Sequence, residues 1–254
     1  MLERMLVPIY VPSWLQGPLR RIKRTFVPPA PTLVNTDGER YVEWTFLSSE
    51  MPDGPGEALE FGCEQGYMSF LAAQKGFRVL AVDLQEQHFQ WRHSNVEFRL
   101  GDFLQLDLPE GHFDLLINCS SIEHVGISGR YGITAEHSNG DIEVMETFAR
   151  VLRPGGLLLM SVPVGRDAVI APLCRVYGEE RLPRLLAPFQ IEKERYWCKD
   201  HENRWASTTR EEALSFQPLH DPARPQAISY ALGGFVLRND AGRSRNSSTK
   251  GDKC

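Results

Sequence analysis

The sequence predicts an α/β fold: a doubly wound, mostly parallel sheet completed by a C-terminal antiparallel strand pair. Three observations carry this expectation. Between residues 58 and 163, short apolar runs alternate with helix-period segments, the pattern of crossover units around a parallel sheet. One run, FDLLINC (113–119), is apolar through its centre, as a strand covered on both faces must be. Two late runs, QIEKERYW (190–197) and ALGGFVLR (231–238), flank one helical segment and supply the antiparallel pair.

The elements follow in order. Residues 1–31 read as an arm, apolar and proline-interrupted, then basic (Arg20, Arg21, Lys23, Arg24), then PPAP. Docking on the core is expected, with amphipathic membrane contact as the alternative. YVEWTFL (41–47) is a helical or extended lead-in, and MPDGPGE is a linker by its Pro and Gly content. ALEF is a short buried strand. GYMSFLAAQKGF is a helix with Met68, Leu71 and Ala72 on one face and a stop at Gly76. FRVLAVD is a second strand ending on Asp83, VEFRLGD a third ending on Asp102, and FDLLINC the fourth. Asp141 is the expected N-cap of IEVMETFARVL, whose Val144, Met145, Phe148, Val151 and Leu152 form a 3.6-period stripe. RPGG is expected to break that helix before LLLMSVPV, the fifth strand. TREEALSF is a helix opened by the capping-box pair Thr209 and Glu212. The polar last stretch, 239–254, reads as a disordered tail.

Bulk composition narrows the function. The 254 residues allow one substantial core, and 42% hydrophobic with 24% charged residues is the balance of a soluble globular protein. A net charge of −5 argues against a nucleic-acid partner, which calls for a basic excess. The five cysteines (63, 119, 174, 198, 254) are scattered and form no C-x-x-C pair, which fits a reducing, cytoplasmic compartment. No apolar run approaches the roughly 20 residues of a membrane span.

The stretch LEFGCEQG (59–66) occupies the first strand-to-helix loop, where an open parallel sheet binds its ligand. A dinucleotide fingerprint counted from Gly62 would need glycine at 64 and 67, where Glu64 and Tyr67 stand. A carboxylate there repels a pyrophosphate, so NAD and FAD are disfavoured. A cationic ligand without phosphate suits Glu60 and Glu64 better, and Gly62 and Gly66 leave the backbone free to approach it. Asp83 at the end of the second strand is placed to accept from two ribose hydroxyls, and Asp102 can approach an adenine amino group. Each acid alone reads equally well as a cap or loop carboxylate; together at successive strand ends they point to a ligand.

With LEFGCEQG, AVD, GDF, FDLLINCSSIEHV and VLRPGGLLLMSVP in this order, residues 57–163 resemble the class I S-adenosylmethionine-dependent methyltransferases. The segment from VEWTFL to YALGGFVLR also resembles a little-characterised bacterial group of such enzymes. The resemblance implies a Rossmann-like fold and S-adenosylmethionine as cofactor. It implies a methyltransferase domain over 51–238, with a cofactor half at 57–163 and a substrate-side half at 164–238, preceded by an arm and lead-in at 1–50. The expected cofactor set is Glu60, Gly62, Glu64, Gly66, Asp83, Leu84, Asp102, Phe103, Cys119 and Ser120. Glu64 departs from the glycine usual in the superfamily.

Cofactor and acceptor should meet beyond the fourth strand, at Ser120, Ser121, Glu123 and His124. His124 is the candidate base, with Glu123 beside it, because an imidazole titrates near neutral pH. The same histidine reads as a residue that merely orders its loop. Glu123, His124, His137 and Asp141 could instead hold a divalent metal, although their spacing matches no ligand motif and no metal is expected. The Gly-rich segment 126–141 reads as a lid carrying Arg130 and Tyr131, or as a solvated loop. KDHENRW (199–205), with Trp197 and Trp205, reads as a sugar platform or as a turn over core tryptophans. NCSS stands where an N-P-P-Y stretch would mark amino methylation. The leading expectation is O-methylation of a small molecule, a sugar or biosynthetic intermediate. The alternatives are a non-catalytic cofactor-binding scaffold and an RNA methyltransferase.

Overall fold

The structure, a computed structural model, describes residues 38–89, 91–201, 204–220 and 228–240. The expectations for the arm at 1–31 and for the tail from 241 onward lie outside these residues. The lead-in is a helix, α1 (Arg40–Glu50), that buries Phe46 and Leu47.

The chain continues through β1 (Gly56–Phe61), α2 (Tyr67–Gln74), β2 (Phe77–Asp83), β3 (Val96–Leu100), β4 (Phe113–Cys119), α3 (Gly140–Val151) and β5 (Leu152–Val164). A hairpin, β6 (Ala168–Ile170) and β7 (Cys174–Val176), precedes α4 (Arg181–Leu186), β8 (Gln190–Lys199), β9 (Trp205–Thr208) and α5 (Arg210–Ser215). A short pair, β10 (Leu219–His220) and β11 (Ile228–Ser229), leads into β12 (Ala231–Arg238). The main sheet has eight strands in the order β3-β2-β1-β4-β5-β12-β8-β9. The first five are parallel, and β12 runs antiparallel between β5 and β8. This is the doubly wound, Rossmann-like arrangement expected, with the antiparallel pair in place. Strand order reverses between β1 and β4, so a crevice opens where these two strands end.

The period-2 alternation of each strand sorts its side chains between two apolar layers. On β4, Leu116 faces the layer built on Val144, Met145, Phe148 and Val151 of α3. Leu115 and Ile117 face the opposite layer, with Phe46 and Leu47 of α1 and Met68, Ala72 and Ala73 of α2. Burying both faces is what makes FDLLINC continuously apolar.

Three local readings are corrected. The N-cap of α3 is Asn139, and Asp141 lies in the first turn with no accessible surface, held by Arg181. A pairing partner across the chain won over a local cap. RPGG does not separate helix from strand, since β5 starts at Leu152 and absorbs it through a register irregularity against β4. The third strand stops at Leu100, and Asp102 lies beyond it. Trp197 packs edge-on against Phe46 with ring centroids 5.5 Å apart, inside the core, while the Thr209–Glu212 capping box forms as expected.

Candidate functional site

A cavity of about 990 Å³ opens at the carboxyl ends of β1, β2 and β4. That is at the upper end of the roughly 300–1,000 Å³ of small-molecule sites, room for a cofactor and an acceptor together. Its walls include Gly62, Glu64, Asp83, Leu84, Asp102 and Phe103 on one side. Ser120, Glu123, His124, Arg130, Tyr131 and Tyr230 line the other.

The β1–α2 loop is bound to the end of β2. Gly62 N–H donates to the Val82 carbonyl (2.9 Å), and Glu64 N–H to Asp83 Oδ2 (3.1 Å). Asp83 Oδ1 accepts from Gln85 N–H at 2.9 Å. These two bonds fix the carboxylate and leave acceptor capacity on both oxygens, as a vicinal diol requires. Gly62 has φ +66, and a Cβ there would collide with the side chain of Ser121. Glu64 has φ +43, a left-handed backbone that disfavours any residue with a Cβ. The loop demands glycine-like geometry at 64, yet carries a carboxylate there. That side chain is 63% exposed and lies 3.7 Å from Arg40 Nη2.

Three expected cofactor residues stand behind the wall. Glu60 is buried and accepts from Ser69 N–H (2.7 Å) and Ser69 Oγ, tying β1 to α2, and burial raises its pKa to about 7. Gly66 caps α2 and faces the Phe89 ring. Cys119 is buried, its Sγ 3.8 Å from Glu43 Oε2, and burial pushes its thiol pKa well up. Asp102 reaches the cavity but also caps the turn Phe103–Gln105, accepting from Leu104 N–H at 3.1 Å.

His124 Nδ1 lies 2.6 Å from the Leu173 carbonyl, which can only accept. Nδ1 therefore carries the proton and Nε2 presents a bare lone pair. Burial lowers the histidine's pKa to about 4, so the ring is neutral. Glu123 Oε1 is 3.8 Å from that Nε2. Its Oε2 is buried without a hydrogen-bond partner among the described residues. Burial raises Glu123 to about 8, so it is a neutral acid at pH 7.

Residues in α1 and in the substrate-side half were missed. Glu43, with no accessible surface, accepts from Ser120 Oγ and from Arg40 Nη1 (2.9 Å), which fixes Ser120 at φ +46. The signal was Arg40 and Glu43 at i,i+3 on one helix face, which reads from sequence as a solvated pair. Tyr230, Leu173 and Cys174 reach the cavity from the substrate-side half and carried no local signal. The proposed metal quartet is split. Asp141 bonds Arg181 Nε at 2.9 Å, and His137 Nε2 lies 3.1 Å from Glu143. No group of three or more His, Cys, Asp or Glu suited to a metal occurs among the described residues. Trp197 and Trp205 are absent from the cavity wall, so no sugar platform forms there.

The model of the family described as "Caenorhabditis protein of unknown function, DUF268" matches residues 58–217. The chain belongs to this family. Among curated proteins, it is 33% identical over 148 residues to a probable S-adenosylmethionine-dependent methyltransferase of Mycolicibacterium smegmatis, covering 54% of this chain and 52% of the relative. A ubiquinone biosynthesis O-methyltransferase of Caulobacter sp. (strain K31) is 28% identical over 139 residues, 51% of this chain and 49% of that one. The chain thus spans about half the length of the curated relatives it matches. A solved structure of Burkholderia thailandensis 1,6-didemethyltoxoflavin-N1-methyltransferase, with S-adenosylhomocysteine bound, superposes with a TM-score of 0.53 at 18% identity, covering 92% of both chains. The fold is that of the class I S-adenosylmethionine-dependent methyltransferases.

Proposed function

We propose that the chain is an S-adenosylmethionine-dependent methyltransferase acting on a hydroxyl of a small molecule, a sugar or biosynthetic intermediate. The carrying observation is one cavity holding Asp83 at the end of β2 and the bare Nε2 of His124 beyond β4. The donor set suits the cofactor. Asp83 has free acceptor capacity for the ribose, Leu84 and Phe103 offer apolar faces to adenine, and Glu64 lies on the side of a cationic ligand. Arg40, beside Glu64, is placed to receive a carboxylate. Glu64 sets a carboxylate where a phosphate-binding loop would need glycine. The relatives' names support the same reading.

Bound S-adenosylmethionine would supply an electrophilic methyl on a cationic sulfur that departs as a neutral thioether. His124 receives the hydroxyl proton on Nε2 as the new C–O bond forms. With a pKa near 4 it is a weak base, sufficient because a hydroxyl oxygen becomes strongly acidic only as it bonds to carbon. Such a base typically contributes about 10²–10⁴-fold, and positioning the acceptor in line contributes more. The Leu173 carbonyl orients the imidazole through Nδ1, and neutral Glu123, 3.8 Å from Nε2, stands beside that lone pair without a hydrogen bond to it. The four cysteines among the described residues are unpaired, which supports a reducing, cytoplasmic setting, and no helix among those residues is long and apolar enough to cross a membrane. The net charge of −5 favours a small molecule over RNA.

The test is transfer of isotopically labelled methyl from S-adenosylmethionine to a small-molecule extract. Label should appear as the methyl ether of a hydroxyl-bearing acceptor, and His124→Ala should lower kcat by about 10²-fold or more. Cofactor binding without transfer to any acceptor would favour the scaffold reading.

A further inference from the structure

Two guanidinium groups line the cavity, Arg40 and Arg130, and they differ in one respect. Arg40 is neutralised by Glu43 at 2.9 Å and approached by Glu64 at 3.7 Å. Arg130 has a long contact from Nη1 to the Leu173 carbonyl (3.5 Å) and lies 4.5 Å over the ring of Tyr131. It pairs with no carboxylate among the described residues. A guanidinium stays charged in proteins and has five donors in a planar fork, so most of its capacity faces the cavity unused. A half-buried charge of this kind calls for an opposite charge.

The segment that carries it is built with strain. Tyr131 has φ +55, outside the range a bulky residue adopts freely, in a turn closed by Ile133 N–H to the Arg130 carbonyl at 3.0 Å. The Tyr131 ring lies 4.5 Å from the Arg130 guanidinium and 5.5 Å from the His124 imidazole, and both of those groups reach the Leu173 carbonyl. Backbone strain persisting in a cavity wall is a feature of ligand clamps. Of the acids lining the cavity, Glu123 is neutral at pH 7 and Glu64 lies 3.7 Å from Arg40, while Glu39, Asp83 and Asp102 line it without an ion pair to Arg130 among the described residues.

We propose that the methyl acceptor is a ring compound bearing a carboxylate or phosphate, which Arg130 binds while Tyr131 supports the ring and His124 meets the hydroxyl. Arg130 Nη1 and His124 Nδ1 both reach the Leu173 carbonyl, so the anion and the hydroxyl would sit on one ring within the span from that guanidinium to the outer Nε2. Arg130 is thus a specificity-determining residue. This deepens the methyltransferase reading and rests on it for the identity of the transferred group, but anion binding is measured independently of the cofactor.

The probes are 4-hydroxybenzoate, 4-hydroxyphenyl phosphate and neutral 4-hydroxybenzyl alcohol, titrated by calorimetry into the full chain with and without S-adenosylhomocysteine. At least one anion should bind at least about tenfold more tightly than the neutral alcohol, the size of a charge-assisted contact. The two anionic arms distinguish a carboxylate from a phosphate acceptor. Arg130→Gln should lose that preference, and Arg130→Lys should keep part of it, because a point charge remains without the planar fork. An unchanged urea midpoint checks the fold of each variant. Equal binding of anions and alcohol, an anion preference that survives in Arg130→Gln, or no binding of either anion overturns the proposal. Loss of S-adenosylhomocysteine binding with anion preference intact would overturn the cofactor reading and leave this one standing.

Discussion

Glu123→Gln should make the fold more stable at neutral pH than the native residue does. The folded-state pKa of Glu123 is raised by burial from 4.5 to about 8. Its Oε2 has no partner among the described residues, and the residue is only 2% exposed. Below pH 4.5 the carboxyl is protonated in both folded and unfolded chains and costs nothing. Between the two values the unfolded chain releases its proton and the folded chain retains it. Stability falls by about 1.36 kcal/mol per pH unit over that range and levels off above the folded pKa. From pH 5 to 7 this amounts to about 2.7 kcal/mol, somewhat less where cavity water reaches the carboxyl. Glu60, raised to about 7, adds a parallel loss, so the informative quantity is the difference between native protein and variant. Urea unfolding of both at pH 5, 6, 7 and 8 measures it. The variant's advantage should widen by roughly 2–3 kcal/mol from pH 5 to 7, grow further towards pH 8 and flatten only above it. Parallel curves for the two proteins would mean that Glu123 is ionised in the fold and that the neutral-acid account is wrong.

Further outcomes follow from other residues. Asp83→Ala should weaken S-adenosylhomocysteine by about 1.5–3 kcal/mol in calorimetry, through lost charge-assisted bonds; unchanged affinity would remove Asp83 from the site. Glu64→Gly should keep the fold, with the relief of left-handed backbone (about 1–2 kcal/mol) partly offset by glycine's greater freedom when unfolded. It should also weaken S-adenosylmethionine more than S-adenosylhomocysteine, by less than about 1 kcal/mol, because Arg40 already screens the carboxylate. Equal changes for both ligands would show that Glu64 does not sense the sulfonium. Asp141→Ala leaves the buried Arg175 and the half-buried Arg181 without their carboxylate and should cost on the order of 3–5 kcal/mol of stability, read by denaturant unfolding.

The parallel half of the sheet was legible because each strand announces itself locally. FDLLINC is apolar on both faces, and Asp83 closes its strand directly on the loop that it binds. The antiparallel pair was legible for the same reason, and so was the capping box of α5, whose partners are three residues apart. What escaped depends on partners distant in sequence. Asp141 looked like an N-cap because its true partner, Arg181, is 40 residues away. Glu60 looked like a ligand group until Ser69 claimed it. Glu43 gave no sign that it would lie buried beneath Ser120, a contact spanning 77 residues. The acceptor side was least legible, since Leu173, Cys174 and Tyr230 converge from separate loops with no periodic pattern. Only the glycine-rich spacing around Arg130 and Tyr131 marked that segment in advance.

Calorimetric titration of the full chain with S-adenosylhomocysteine, run beside NAD, tests the central claim most directly. The account predicts one saturable site per chain for S-adenosylhomocysteine, weakened in Asp83→Ala, and no comparable heat with NAD. Tight NAD binding, or S-adenosylhomocysteine binding indifferent to Asp83, would contradict it.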